Sequence, residues 1–281
     1  MPERRDVAPS IESGPVVYAY DGSFDGLLCC VYESYERREM PSDVLPDDGA
    51  LPLLLRVKTI ESDEERARRV LRAIPDSMGV RTLRFVRRAF LTCLPNKGLL
   101  ILKFLRMGFR YGPSVMDRLT DETVHTLSVA VTQLNRETDH YAGFVRFSDS
   151  GGVLTAQIEP KNLILPMIAR HFAARYPRER FLIYDRTNRM VLLHQGDMLR
   201  ICGADGYEPP VPGAEELEFR ALWRLFYDTI GIKERYNPRC RMTHMPKRYW
   251  RCMTEFMQTE KRSEALVPMD GSEGFQEFDE G

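Results

Sequence analysis

The hydrophobic pattern changes character along the chain. It opens on a short apolar run at 16–20, Val-Val-Tyr-Ala-Tyr, of the length and composition of a buried strand. Asp21-Gly22-Ser23 follows as a turn, with Asp21 or Ser23 placed to cap an apolar helix over 24–35. Residues 41–52, rich in Pro, Asp and Gly, read as a loop. A second strand is expected at 57–60. Ser62 and Glu65 have capping-box spacing, and the helix they start should stop at Ile74, before Pro75. Helices are expected at 80–94 and 98–109, joined at Pro95-Asn96-Lys97-Gly98. A long helix over 120–141 opens with Asp121 and Glu122 at its positive end.

Beyond Tyr141 the period shortens. Segments 144–147 and 153–158 alternate about Ser150-Gly151-Gly152, a hairpin signal. A helix over 163–176 precedes a second hairpin, 181–184 with 190–194, about Thr187-Asn188. A linker at 209–213 and helices at 215–230 and 246–257 complete the ordered part. The predicted fold class is α+β: a small mixed sheet of hairpins with several packed helices. The expected organisation is a disordered N-terminus over 1–15, a single domain over 16–258 and an acidic disordered tail over 259–281. That tail has six acidic and no basic residues from Ser263 onward. No internal repeat is visible.

Charge distribution adds what periodicity does not. The net charge is only −1, yet residues 77–116 contain no Asp or Glu, where the chain's own frequency would supply about six. The same stretch carries Arg81, Arg84, Arg87, Arg88, Lys97, Lys103, Arg106 and Arg110. On a helix, Arg81, Arg84 and Arg88 form a stripe opposite Leu83, Val86, Phe90 and Leu94, and Phe85 falls beside the arginines. Lys103, Arg106 and Arg110 repeat the spacing on the next helix. Such a face suits a phosphate backbone, with Phe85 free to stack on a base. The plainer alternative is a solvated face whose acidic partners come from elsewhere in the fold.

A second basic stretch, 233–251, holds Lys233, Arg235, Arg239, Arg241, Lys247, Arg248 and Arg251 against a lone Glu234. Tyr236, Tyr249 and Trp250 interleave with these cations, a mixture that suits phosphate contact with stacking. Because Tyr249 and Trp250 are adjacent, at least one should pack inward.

Other chemistry finds little support. No apolar run approaches membrane-spanning length, and no signal peptide opens the chain, so a cytoplasmic protein is expected. Six scattered cysteines suggest no disulfide framework. Phosphate-loop, dinucleotide, iron–sulfur, zinc-finger and zinc-deaminase motifs are absent, and no cofactor is expected. Cys240, His244 and Cys252 lack a fourth ligand and standard spacing. Asp21, Glu159, His171 and Asp185 are weak acid–base candidates; capping or ordinary packing accounts for each as well.

Several segments in order carry a family likeness: Tyr20-Asp21-Gly22-Ser23-Phe24-Asp25-Gly26-Leu27-Leu28, Phe144-Val145-Arg146-Phe147, Ile158-Glu159-Pro160 leading to His171-Phe172, Leu182-Ile183-Tyr184-Asp185, and Asn237-Pro238-Arg239 with Met245-Pro246-Lys247-Arg248-Tyr249-Trp250. Together, over about 16–256, they resemble a bacterial family of DNA metabolism or repair proteins whose domain has no assigned function. The resemblance implies a gene neighbour of the radical SAM class acting in DNA modification or repair. It also implies related domains fused to uracil-DNA glycosylase-like proteins. It supplies no catalytic residues. The expectation is a DNA-binding accessory protein working with a radical SAM partner. The alternatives are a DNA-acting enzyme with unidentified acid–base residues, and a protein adaptor whose basic surface docks an acidic partner.

Overall fold

A computed structural model describes residues 15–47, 55–230, 232 and 235–256. The expected disordered N-terminus (1–14 of it), residues 48–52 of the loop expected at 41–52, Lys233, Glu234 and the acidic tail lie outside the described residues. The fold is α+β, with small sheets and several helices. The described chain divides into two compact units. One comprises the described residues up to 138 with 160–164; the other comprises 139–159 and the described residues from 165 on.

The first unit is built on a three-stranded parallel sheet in the order β2-β1-β3: β1 Val16–Tyr20, β2 Asp43–Pro46 and β3 Arg56–Thr59. β1 is central and buried at all five positions, which is why it reads as a continuous apolar run. β2 corrects the expectation of a loop. Its composition is that of a turn, but an edge strand tolerates Pro at its end, and Val44 alone anchors it in the core.

Helices α1 Phe24–Glu36, α2 Glu64–Met78, α3 Val80–Phe90 and α4 Lys97–Tyr111 pack with this sheet around one hydrophobic core. The cap of α2 is Asp63 rather than Ser62; its side chain accepts from the Arg66 N–H at 2.7 Å. The helix also continues through Pro75 to Met78, because Ile74 and Met78 are both buried and hold the last turn against the core. The long helix α5 spans Glu122–Phe144 and is capped by Asp121, which accepts from the N–H groups of Thr123 and Val124.

The second unit contains a five-stranded mixed sheet, β4 Ser148–Asp149, β5 Leu154–Ile158, β6 Phe181–Asp185, β7 Met190–Gln195 and β8 Met198–Gly203, in sequence order. Only β5 and β6 run parallel, and helix α6 Leu165–Arg175 supplies the crossover such a pair needs. Residues 144–147, expected as a strand, lie outside the sheet, and the first hairpin is reduced to β4 and β5. β8, not expected, is exposed or half-buried throughout, so no buried apolar alternation marks it. Helices α7 Ala214–Ile230 and α8 Pro238–His244 follow, then a 3-10 turn, Lys247–Cys252, in place of the helix expected at 246–257. Among the described residues no helix is long and apolar enough to cross a membrane.

Candidate nucleic-acid interface

The exposed positions of α3 are Val80, Arg81, Arg84, Arg87 and Arg88; all but the first are arginines. The opposite face, Thr82, Phe85, Val86 and Ala89, is buried. None of the four guanidinium groups forms an ion pair with a described residue. Other cations of the same unit do find a carboxylate. Glu33, buried on α1, gathers Lys58 at 2.7 Å, Arg37 at 3.2 Å and Arg66 at 3.5 Å. Four like charges along one face of about two helical turns repel one another, by a few tenths of a kcal/mol per i,i+3 or i,i+4 pair, and nothing local offsets that cost. The arrangement favours an anion from outside.

The remaining predicted members of this stretch divide. Phe85 is a correction: it is 9% exposed and packs against Phe104, ring centroids 5.2 Å apart, so it has no free face for a base. The buried face of α3 is rotated toward Phe85 relative to the stripe of Leu83, Val86 and Phe90, because α4 covers that side; Leu83 and Phe90 sit half-buried at its edge. Lys97 turns back on α3, donating to the carbonyls of Phe90 at 2.8 Å and Thr92 at 3.1 Å. Arg106 donates to the Ser34 carbonyl and hydroxyl and to the Glu39 carbonyl, and lies over the Tyr35 ring. Both are structural fasteners. Lys103 is half-buried with no ion-pair partner among the described residues, and Arg110 is exposed beside the Tyr111 ring.

In the second unit, Trp250 is likewise a correction. It is 7% exposed, stacks on Phe256 at 4.7 Å and donates its indole N–H to the Met245 carbonyl. Tyr249 is fully buried beside His140, Tyr141 and Phe144, so both adjacent rings turn inward, toward different neighbours. The guanidinium of Arg241 lies 5.2–5.4 Å from the Tyr236, Trp250 and Phe256 rings, and Lys247 lies 5.8 Å from that of Trp250. Arg248 donates to the Tyr249 hydroxyl, and Arg251 pairs with Glu159 at 3.3 Å. Arg239 is exposed on α8.

The acid–base candidates have structural partners. Asp21 accepts from the Ser23 N–H and hydroxyl and from the Ser62 hydroxyl, joining the starts of α1 and α2. Burial pushes its carboxyl up, but those hydrogen bonds outweigh it and hold the group below the ordinary range. Glu159 pairs with Arg186 and Arg251. Asp185 is buried and closes the β6–β7 turn, accepting from the Asn188 N–H and amide. His171 is exposed, in edge contact with Phe172. Cys252 is buried, which pushes its thiol up to about 12, and it donates to the Tyr249 carbonyl. Among the described residues no three His, Cys, Asp or Glu side chains gather as a metal site would require.

Sequence reasoning passed over the exposed rings of α7, Phe219 and Trp223. The available signal was an excess of apolar residues for a single stripe: Leu217, Phe219, Leu222, Trp223, Leu225, Phe226 and Ile230 surround the helix, and none is buried.

Comparison with curated proteins finds no match. A family model does match, over a span that takes in α4, Lys103, Arg110 and the second basic stretch but begins after α3. Through residues 95–255 this chain belongs to the family described as Domain of unknown function (DUF4130).

Proposed function

We propose that this protein binds nucleic acid through the arginine face of α3, as an accessory protein in DNA repair or modification. The observation that carries the reading is the set Arg81, Arg84, Arg87 and Arg88, all exposed and none in an ion pair with a described residue. Lys103 and Arg110 on α4 add cations from the same acid-free stretch. A surface of this kind holds phosphates by charge and counterion release and carries no base code of its own. With Phe85 in the core, α3 is a backbone-binding face. The family resemblance directs the reading toward DNA and toward a radical SAM partner.

The test is a titration of the purified full chain with labelled duplex and single-stranded DNA at rising salt. Affinity that falls steeply with salt supports the proposal. Absence of salt-sensitive binding to either probe would overturn it, and the basic face would then be assigned to an acidic protein partner, with the radical SAM protein the first to test in a pull-down.

A further inference from the structure

The second unit contains a cleft of about 610 Å³, within the size range of sites that hold small organic groups. It is lined by Arg175 at the end of α6 and Tyr176 just after it, by Phe219, Arg220 and Trp223 of α7, and by Phe147. Phe147 is held by edge contacts with Phe172, Tyr176 and Phe181. Phe219 and Trp223 are not used up by packing: they remain 62% and 41% exposed. Trp223 is oriented by its N–H, which donates to Glu255 at 3.2 Å.

The charge of the lining is positive. Arg146, Arg175 and Arg220 face one carboxylate, Glu216. Arg220 is held by Glu216 at 2.7 Å and Arg146 by Glu255 at 3.6 Å, whereas Arg175 forms no ion pair with a described residue.

From this combination we infer that the cleft receives an unpaired nucleotide of a nucleic-acid strand, its base against Trp223 and Phe219 and its phosphate toward Arg175. An apolar ligand would leave Arg175 without a counter-charge, and a lone phosphate would leave the rings without a partner. A duplex keeps its base faces stacked on one another, so only an unpaired base offers a π-face to these rings. The inference rests on the nucleic-acid reading above and adds a second site to it.

The chain's two tryptophans make the test direct, because Trp250 is buried and Trp223 is not. The full chain is titrated with a thymidine strand of about eight nucleotides, a length typical of single-strand sites, and separately with a duplex. The strand is expected to quench tryptophan fluorescence, and Trp223→Phe to abolish the quench. Trp223→Phe and Phe219→Ala should each weaken strand binding, by up to about ten-fold for the alanine, with the melting temperature unchanged. Arg175→Ser should lower the salt slope for the strand by about one charge and leave that for the duplex alone. A strand that binds without quenching Trp223, or that binds Phe219→Ala and Arg175→Ser as well as the parent, overturns the inference while duplex binding by α3 stands. Failure of both probes to bind removes the nucleic-acid reading and this site with it.

Discussion

Glu33 is a carboxylate under two opposed influences. Burial pushes its proton affinity up, but hydrogen bonds and charge from Lys58 and Arg37 outweigh it, and the group sits below the ordinary range. The folded state therefore holds its proton less tightly than the unfolded chain, whose value is about 4.3. Stability from this group is present above that value and is lost as pH falls through the depressed folded one. Melting curves collected downward from about pH 6 should show a falling Tm, and Glu33→Gln should remove part of that dependence; an identical slope in the variant would refute the assignment. Lys97 makes a complementary case. Its ammonium group fastens α3 through two carbonyls. Lys97→Met should cost about 1–3 kcal/mol of stability and leave the salt dependence of nucleic-acid binding as it was. Both effects separate structural cations from the free ones, a distinction composition cannot make: Lys97 and Arg106 look in sequence like Arg84 and Arg88. Phe85 was illegible for a related reason. Helical spacing put it beside the arginines, and only the position of α4 reveals which flank of α3 is covered. Phe85→Ala is expected to cost about 3–5 kcal/mol, a core loss read as a lower Tm with an unchanged salt slope.

Among elements, α4 and β2 come close at Gly98. A Cβ placed there would stand 2.4 Å from the Val44 carbonyl oxygen, a backbone atom that cannot move without displacing β2. Gly98→Ala should destabilise by about 1–3 kcal/mol or more, measured by chemical denaturation; a neutral result would mean that β2 yields. In sequence Gly98 reads as part of a turn, because nothing local announces a strand passing over it. The strand β2 itself was hidden by its Pro and Asp content. Strong local signals fared better: β1 matches its apolar run over 16–20, and α1 and α7 agree with their expected bounds to within one residue. Where local rules and burial compete, burial wins. Pro75 fails to stop α2, and the pair Tyr249-Trp250 turns a predicted helix into a 3-10 turn with both rings inward.

For the whole molecule, a net charge of −1 conceals segregation: α3 presents four arginines and no acid, while Arg37, Lys58, Arg66 and Arg68 of the same unit pair with carboxylates. The α+β class was legible from the change of period near Tyr141, and the division into two units was not, since no linker composition marks it. The acid-free stretch was legible too, but which of its cations face outward depended on the fold. The central claim concerns those that do. The measurement that bears on it most directly is the slope of log affinity against log salt for duplex DNA, with the parent chain compared to a variant carrying Arg81→Ser, Arg84→Ser, Arg87→Ser and Arg88→Ser. These side chains hold no described partner, so the variant should melt like the parent, bind more weakly, and show a slope smaller by roughly 0.9 for each phosphate no longer neutralised. A variant that remains folded and keeps both the affinity and the slope of the parent would contradict the account.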